Sequence, residues 1–242
     1  MVDYLYDGTF EGLLTCIYLH YYEEKASGVF MKSRYQTNLL NPYKEINTDL
    51  SLADKVYSAI EEKISTYALK NIYYLYLSDY EQKEILILNY LKKGFKIGKY
   101  IDCYHADSTV HDVHFYAKKV SIECHRFYGL IRFSDTGVFL YSEIEPDNDI
   151  LILIGDHFSD RFKNERFIIH DKKRSKALIS SDGEWYISDF DAKKEIALSN
   201  EEHYYQDLWK TYFKHIGIAG RKNPRLQAQF MPRRYWKNLT EF

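Results

Sequence analysis

Three stretches of the 242-residue sequence carry residue types that could do chemistry. The first is Glu-Cys-His-Arg, from Glu123 to Arg126. Lys119 and Glu123 stand four apart and Glu123 and Arg126 three apart, which is the spacing of an ion network on the surface of a helix. A buried acid–arginine constellation that serves a substrate or holds two subdomains is the alternative. The second stretch is DHFSDR, with His157, Asp160 and Arg161 close together, followed by His170, Asp171 and Arg174. Acid, imidazole and guanidinium can share general acid–base work or bind phosphate. They can equally form a salt-bridge web where helix meets sheet, and that reading is favoured. An enzyme would need Glu123, His125, His157 and Arg161 to line one pocket, because proton transfer requires hydrogen-bond reach.

The third stretch is the C-terminal segment NPRLQAQFMPRRYWKNLTEF, from Asn223 to Phe242. With 33 Lys/Arg against 35 Asp/Glu the chain is at −2, yet its last 22 residues hold six basic residues and one acid. That segment is at +5 and the first 220 residues at −7. Four of the ten arginines fall there, in a chain that otherwise uses lysine for positive charge. Arginine offers a planar fork that lysine does not. Cations neutralise phosphates and interleaved rings stack on exposed bases, so Arg221, Lys222, Arg225, Arg233, Arg234, Tyr235, Trp236 and Lys237 are candidates to contact nucleic acid. A segment of opposite charge to the body can also dock on it, rings inward and guanidiniums paired with acids. The two readings can hold together.

Other chemistries are poorly served. Cys103, His105, His111, His114, Cys124 and His125 fall within 23 residues, but neither C-x-x-C nor H-x-x-x-H spacing occurs, so no zinc site is expected. Three scattered cysteines suit neither an iron–sulfur cluster nor a disulfide framework, and fit a reducing compartment. Phosphate-loop, dinucleotide, serine-hydrolase and zincin motifs are absent from the sequence. No cofactor is expected.

The elements that must position these residues are legible from their periodicities. VDYLY alternates like a strand, and Asp7-Gly8-Thr9 leads into a helix with Phe10, Leu13, Leu14, Ile17 and Tyr21 on one face. Asp7 or Thr9 would cap it; an anion site there is disfavoured by Asp7 and Glu11. Residues 24–50 read as a connection with one short strand, Val29 to Met31. Two or three helices follow over 52–99, ended by Gly94 and Gly98. Asp107-Ser108-Thr109 caps a helix running to about Gly129. Beyond it come a hairpin around Asp135-Thr136-Gly137, an interrupting helix NDILILIGDHFSDRF and strands RFIIHD, KALIS and EWYIS. A helix over 201–216, spaced by Tyr205, Leu208, Tyr212 and His215, precedes the basic segment, in which RLQAQF forms a short helix.

No βαβ alternation is visible, so the expected fold is α+β: a helical N-terminal half packed on an antiparallel sheet, then a C-terminal helix and the basic segment. One domain over 1–242 is expected, with 1–128, 129–198 and 199–242 as subdomains. No apolar run approaches the ~20 residues of a membrane span. The opening MVDYLYDGTFEG has neither the basic nor the apolar region of a secretion signal. A cytoplasmic, membrane-free protein is expected. Tyrosine is 24 of 242 residues, which matches an AT-rich codon bias better than a dedicated stacking surface.

Five motifs carry a resemblance over nearly the whole chain. These are D-G-T-F-E-G near the start, V-x-x-E-x-H-R-F-x-G-x-x-R-F from Val120 to Phe133, I-x-P-D from Ile144, H-F-x-x-R-F from His157, and N-P-R-L-Q-x-Q-F-M-P-R-R-Y-W-K at the end. Together they resemble a bacterial family, a domain of unknown function, described as DNA-metabolism or DNA-repair proteins. Its members are partnered with a radical-SAM protein carrying a helix-hairpin-helix element and are sometimes fused to a uracil-DNA-glycosylase-like domain. The resemblance implies a DNA-associated role and a radical-SAM partner that supplies any cofactor chemistry; it implies no particular reaction. It carries over Asp7, Phe10, Glu11, Glu123, His125, Arg126, Arg132, His157, Arg161, Asn223, Arg225, Gln227, Arg233, Arg234, Tyr235 and Trp236. The leading expectation is a protein that binds DNA, with little sequence preference, or a repair partner through its basic aromatic segment. The alternatives are an enzyme acting on nucleic acid through the four-residue pocket, and an adaptor that binds only the radical-SAM protein.

Overall fold

The computed structural model describes residues 2–36, 42–191, 196–221 and 223–241. They form an α+β fold in two compact units, 1–121 and 122–242, divided inside one long helix.

In the first unit β1 (Val2–Tyr6) lies between β2 (Ala26–Met31) and β3 (Tyr43–Glu45), parallel to both. All five residues of β1 are buried, as befits a central strand of a parallel sheet covered on both faces. Helix α1 (Phe10–Tyr22) connects β1 to β2, so the unit opens on a βαβ crossover. The absence of βαβ alternation expected from the sequence is thereby corrected. Strand β3 is three exposed residues long, too short to show an apolar pattern.

Thr9 caps α1 by accepting the Gly12 N–H at 3.0 Å, and Asp7 accepts both the Thr9 N–H and its hydroxyl. The Thr48 hydroxyl fills the other oxygen of Asp7. These donors are spent within the fold, so the loop caps a helix rather than cradling an anion. Gly8 sits at φ +94°, a left-handed turn open to glycine.

Three helices follow in the unit: α2 (Leu50–Lys63), α3 (Thr66–Leu77) and α4 (Lys83–Ile97), with Asp49 and Ser65 capping the first two. Gly98, at φ +75°, ends α4, whereas Gly94 lies within it against Ile64. Leu13, Ile17, Ile60, Ile72, Leu75, Ile87 and Leu88 interlock in the core.

His20, buried at the end of α1, accepts the Ala26 N–H on Nδ1 at 3.0 Å. Only the neutral ring can accept there. Burial holds its pKa below the usual 6.5, and Lys92 and Lys25 push the same way. The unfolded chain therefore binds a proton near pH 6.5 that the folded one resists, and stability falls as pH drops through that value. Urea midpoints should decrease from pH 7 to pH 5.5, and His20→Gln should flatten that decrease.

Helix α5 (Ser108–Leu130) contains the division between the units. The second unit holds a five-stranded sheet in chain order: β4 (Ser134–Asp135), β5 (Leu140–Ile144), β6 (Phe167–Asp171), β7 (Lys176–Ser181) and β8 (Glu184–Asp189). Three of its four pairings are antiparallel, but β5 and β6 run parallel, joined by α6 (Leu151–Arg161). The expected antiparallel meander is corrected at this pair. The inserted helix is its crossover, which a parallel pair requires. Gly155 lets α6 approach the Trp185 ring, and the Trp185 indole donates to Asp156 at 2.9 Å. Asp182 and Gly183, both at positive φ, make the tight β7–β8 turn. Helices α7 (Asn200–Ile216) and α8 (Pro224–Phe230) follow, then a 3₁₀ turn, Arg233–Asn238.

Candidate nucleic-acid interface

The C-terminal segment is built by local rules. The Asn223 side chain accepts the Leu226 N–H at 3.0 Å, and Pro224 occupies the first turn, so α8 starts with a cap and a pre-set φ. Pro232 follows the helix and commits the chain to the 3₁₀ turn. That turn buries Tyr235, whose ring packs edge-on against Phe127 with centroids 4.9 Å apart.

Beneath it lies Glu123, 4 % exposed. Its Oε1 accepts the Tyr235 hydroxyl at 2.5 Å and the Asp147 N–H at 2.8 Å; its Oε2 accepts the Asn148 N–H at 2.8 Å and the Asn148 side-chain amide at 2.6 Å. Four donors saturate a carboxylate. Burial, then the hydrogen bond to Glu123, raises the Tyr235 pKa above its usual value, so the phenol stays protonated and donating. Arg234 Nη2 reaches Asp147 at 2.6 Å, the Tyr235 hydroxyl at 2.8 Å and Glu123 at 3.9 Å. Arg174, paired with fully buried Asp171 at 2.8 Å, donates to the carbonyls of Pro146 and Asp147. Lys237 pairs with Glu145 at 2.7 Å. The loop after β5 is thus gripped by Glu123, Arg174, Arg234 and Lys237.

The four candidates for an enzymatic pocket fare differently. Glu123 meets none of the other three through a hydrogen bond or ion pair among the described residues. His125 is exposed and touches the Tyr128 ring edge-on at 6.0 Å. His157 stacks on the same ring at 4.3 Å, with its Nε2 buried and unpartnered. Arg161 is exposed over Phe162. Tyr128 therefore joins the two histidines, and Glu123 serves the other network. The surface ion network expected around Glu123 is not formed: Lys119 lies over Phe115 and Tyr116, and the guanidinium that approaches the buried acid is Arg234, not Arg126.

Among the other carried-over residues, Arg132 pairs with Glu241 at 2.9 Å and also donates to the Gly129 carbonyl. Phe10 packs between Tyr73 and Tyr76, and the Trp236 indole donates to the Met231 carbonyl. Among the described residues no group of three or more His, Cys, Asp or Glu is placed to hold a metal ion.

The basic candidates divide in two. Arg234 and Lys237 are engaged by acids of the fold. Arg221, Arg225 and Arg233 are exposed, and their side chains form no hydrogen bond or ion pair among the described residues; Arg233 lies over the Trp236 ring at 5.7 Å. Lys222 lies outside the described residues.

Preceding these arginines in the chain is a surface that the sequence pattern concealed. Every described residue of α7 is at least partly exposed: Tyr205 by 63 %, Trp209 by 44 % and Tyr212 by 54 %. The helix is held at its edges, by Glu202 accepting the Asp135 N–H, Gln206 donating to Ser134, and the Trp209 indole donating to Glu241. Its ring face stays open. The periodicity of Tyr205, Leu208 and Tyr212 is that of a core-facing helix, and only the structure shows these three side chains 63 %, 46 % and 54 % exposed among the described residues.

Fold and site define an α+β protein with an open aromatic, cationic C-terminal surface. Residues 81–241 match the model of the family described as domain of unknown function (DUF4130), and since that is more than half of the chain, the protein belongs to this family. No curated protein and no solved structure matches the chain. No helix among the described residues is long and apolar enough to cross a membrane.

Proposed function

We propose that this is a DNA-binding protein of DNA metabolism or repair, which holds DNA with little sequence preference through the surface of α7, α8 and the adjoining turn. The observation that carries the reading is that the C-terminal part of the chain holds both the open rings of α7 and three exposed arginines, Arg221, Arg225 and Arg233, whose side chains have no acid partner among the described residues, with Arg221 lining a groove beside α7. Guanidiniums hold phosphates and rings stack on bases whatever the sequence. The motif resemblance to DNA-metabolism proteins supports the same direction. Glu123 argues against the enzymatic alternative, since all four of its acceptor positions are occupied by the fold.

A second reading is favoured by the aliphatic part of the surface, where Ile216 and Ile218 are 56 % and 60 % exposed. In it the face seats a protein, and the resemblance points to the radical-SAM partner. The two separate in one titration. Labelled DNA followed by fluorescence anisotropy should bind at low salt and lose roughly ten- to a hundredfold in affinity between about 50 and 200 mM salt. Absence of binding at the lowest salt would sink the DNA reading and leave the protein partner.

A further inference from the structure

Helices α7 and α8 enclose a groove of about 940 Å³, within the ~300–1,000 Å³ that ligand sites span. Phe213, Leu226 and Phe230 are among its apolar walls, and Lys210, Lys214 and Arg221 are its cations. Its one acid, Glu241, already accepts from Arg132 and from the Trp209 indole. An occupant must therefore bring negative charge together with flat apolar surface. Also on α7, the Trp209 and Tyr212 rings lie 5.7 Å apart at 31°, forming a partly exposed two-ring platform that faces a depression shared with Phe133.

We infer that this groove and platform take single-stranded nucleic acid, with unstacked bases against the rings and phosphates on Lys210, Lys214 and Arg221; the inference rests on the DNA-binding reading above. A duplex hides the faces of its bases and offers a docked helix only base edges and thymine methyls. A helix face of Tyr, Trp and Phe has almost nothing to hydrogen-bond there, and a concave apolar groove cannot enter a duplex groove. A single strand exposes a π-face at every base, and the charged backbone can follow the rim.

The test compares three 12-nucleotide probes on the full chain at constant salt: oligo(dT), a duplex, and an abasic strand of the same charge as oligo(dT). Oligo(dT) should bind at least about tenfold more tightly than either of the others and should quench tryptophan fluorescence. Trp209→Phe should remove most of the quenching, which Trp185 and Trp236 would otherwise retain. Trp209→Ala with Phe230→Ala should weaken oligo(dT) binding by about ten- to a hundredfold and leave abasic-strand binding unchanged. Phe230 is 67 % exposed, and Trp209, 44 % exposed, gives up only the 3.4 Å bond to Glu241, which Arg132 still holds, so the double variant should keep its circular-dichroism spectrum. Equal binding of the abasic strand, or preference for the duplex, overturns the single-strand inference while DNA binding stands. Failure of all three probes to bind at low salt overturns both.

Discussion

Glu123→Gln should destabilise the second unit by about 2–3 kcal/mol, the upper part of the range for leaving a buried hydrogen-bonding group unpaired. The carboxylate receives two backbone N–H groups, the Asn148 amide and the Tyr235 hydroxyl. Glutamine keeps the shape but turns one acceptor into a donor, so at least two N–H groups would meet or a donor would go unpaired. Hydrogen bonds to a charged group contribute ~1.5–3 kcal/mol each. Tyr235→Phe, which removes one donor and leaves three, should fall near the low end of that range. Urea denaturation of the three proteins checks the order: wild type most stable, Tyr235→Phe between, Glu123→Gln least. A Glu123→Gln chain as stable as the wild type would mean that the carboxylate is not committed to the fold, and would return it to the list of catalytic candidates.

This network marks how far the sequence could be read. The helices and strands were legible because their signals are local: Thr9 and Asp107 at caps, Asp135-Thr136-Gly137 at a turn, apolar residues every third or fourth position. The direction of β6 relative to β5 was not, since the sequence shows a helix between two strands and not the register in which they meet. Glu123 was visible as a polar residue on a helix with Lys119 and Arg126 at ion-pair spacing. Its real partners stand 24, 25 and 112 residues away, and no local rule points to them. The open face of α7 failed for the opposite reason. A stripe of Tyr, Leu and Trp has the same period whether it faces a core or solvent, so periodicity located the stripe and could not say what covers it.

The basic segment was read from its charge and its rings, and the structure shows that its cations are of two kinds. Arg221→Ala/Arg225→Ala/Arg233→Ala should leave stability nearly unchanged, because these side chains have no acid partner among the described residues. It should flatten the slope of log K against log salt by about 2–3 units, at ~0.7–0.9 for each phosphate contact removed, and reduce affinity near 0.1 M salt by roughly two to three orders of magnitude. Arg234→Ala should do the reverse. It strips Asp147 of its ion pair and Tyr235 of a donor, so the urea midpoint should fall while the salt slope moves little. Replacing the three exposed arginines by lysine then separates charge from geometry. A point charge restores the slope if phosphates are simply neutralised, whereas a forked, stacked contact is not restored by lysine. An unchanged slope in the triple alanine variant would place the phosphate contacts elsewhere on the chain, and the open rings of α7 would then be better explained by a protein seated on them.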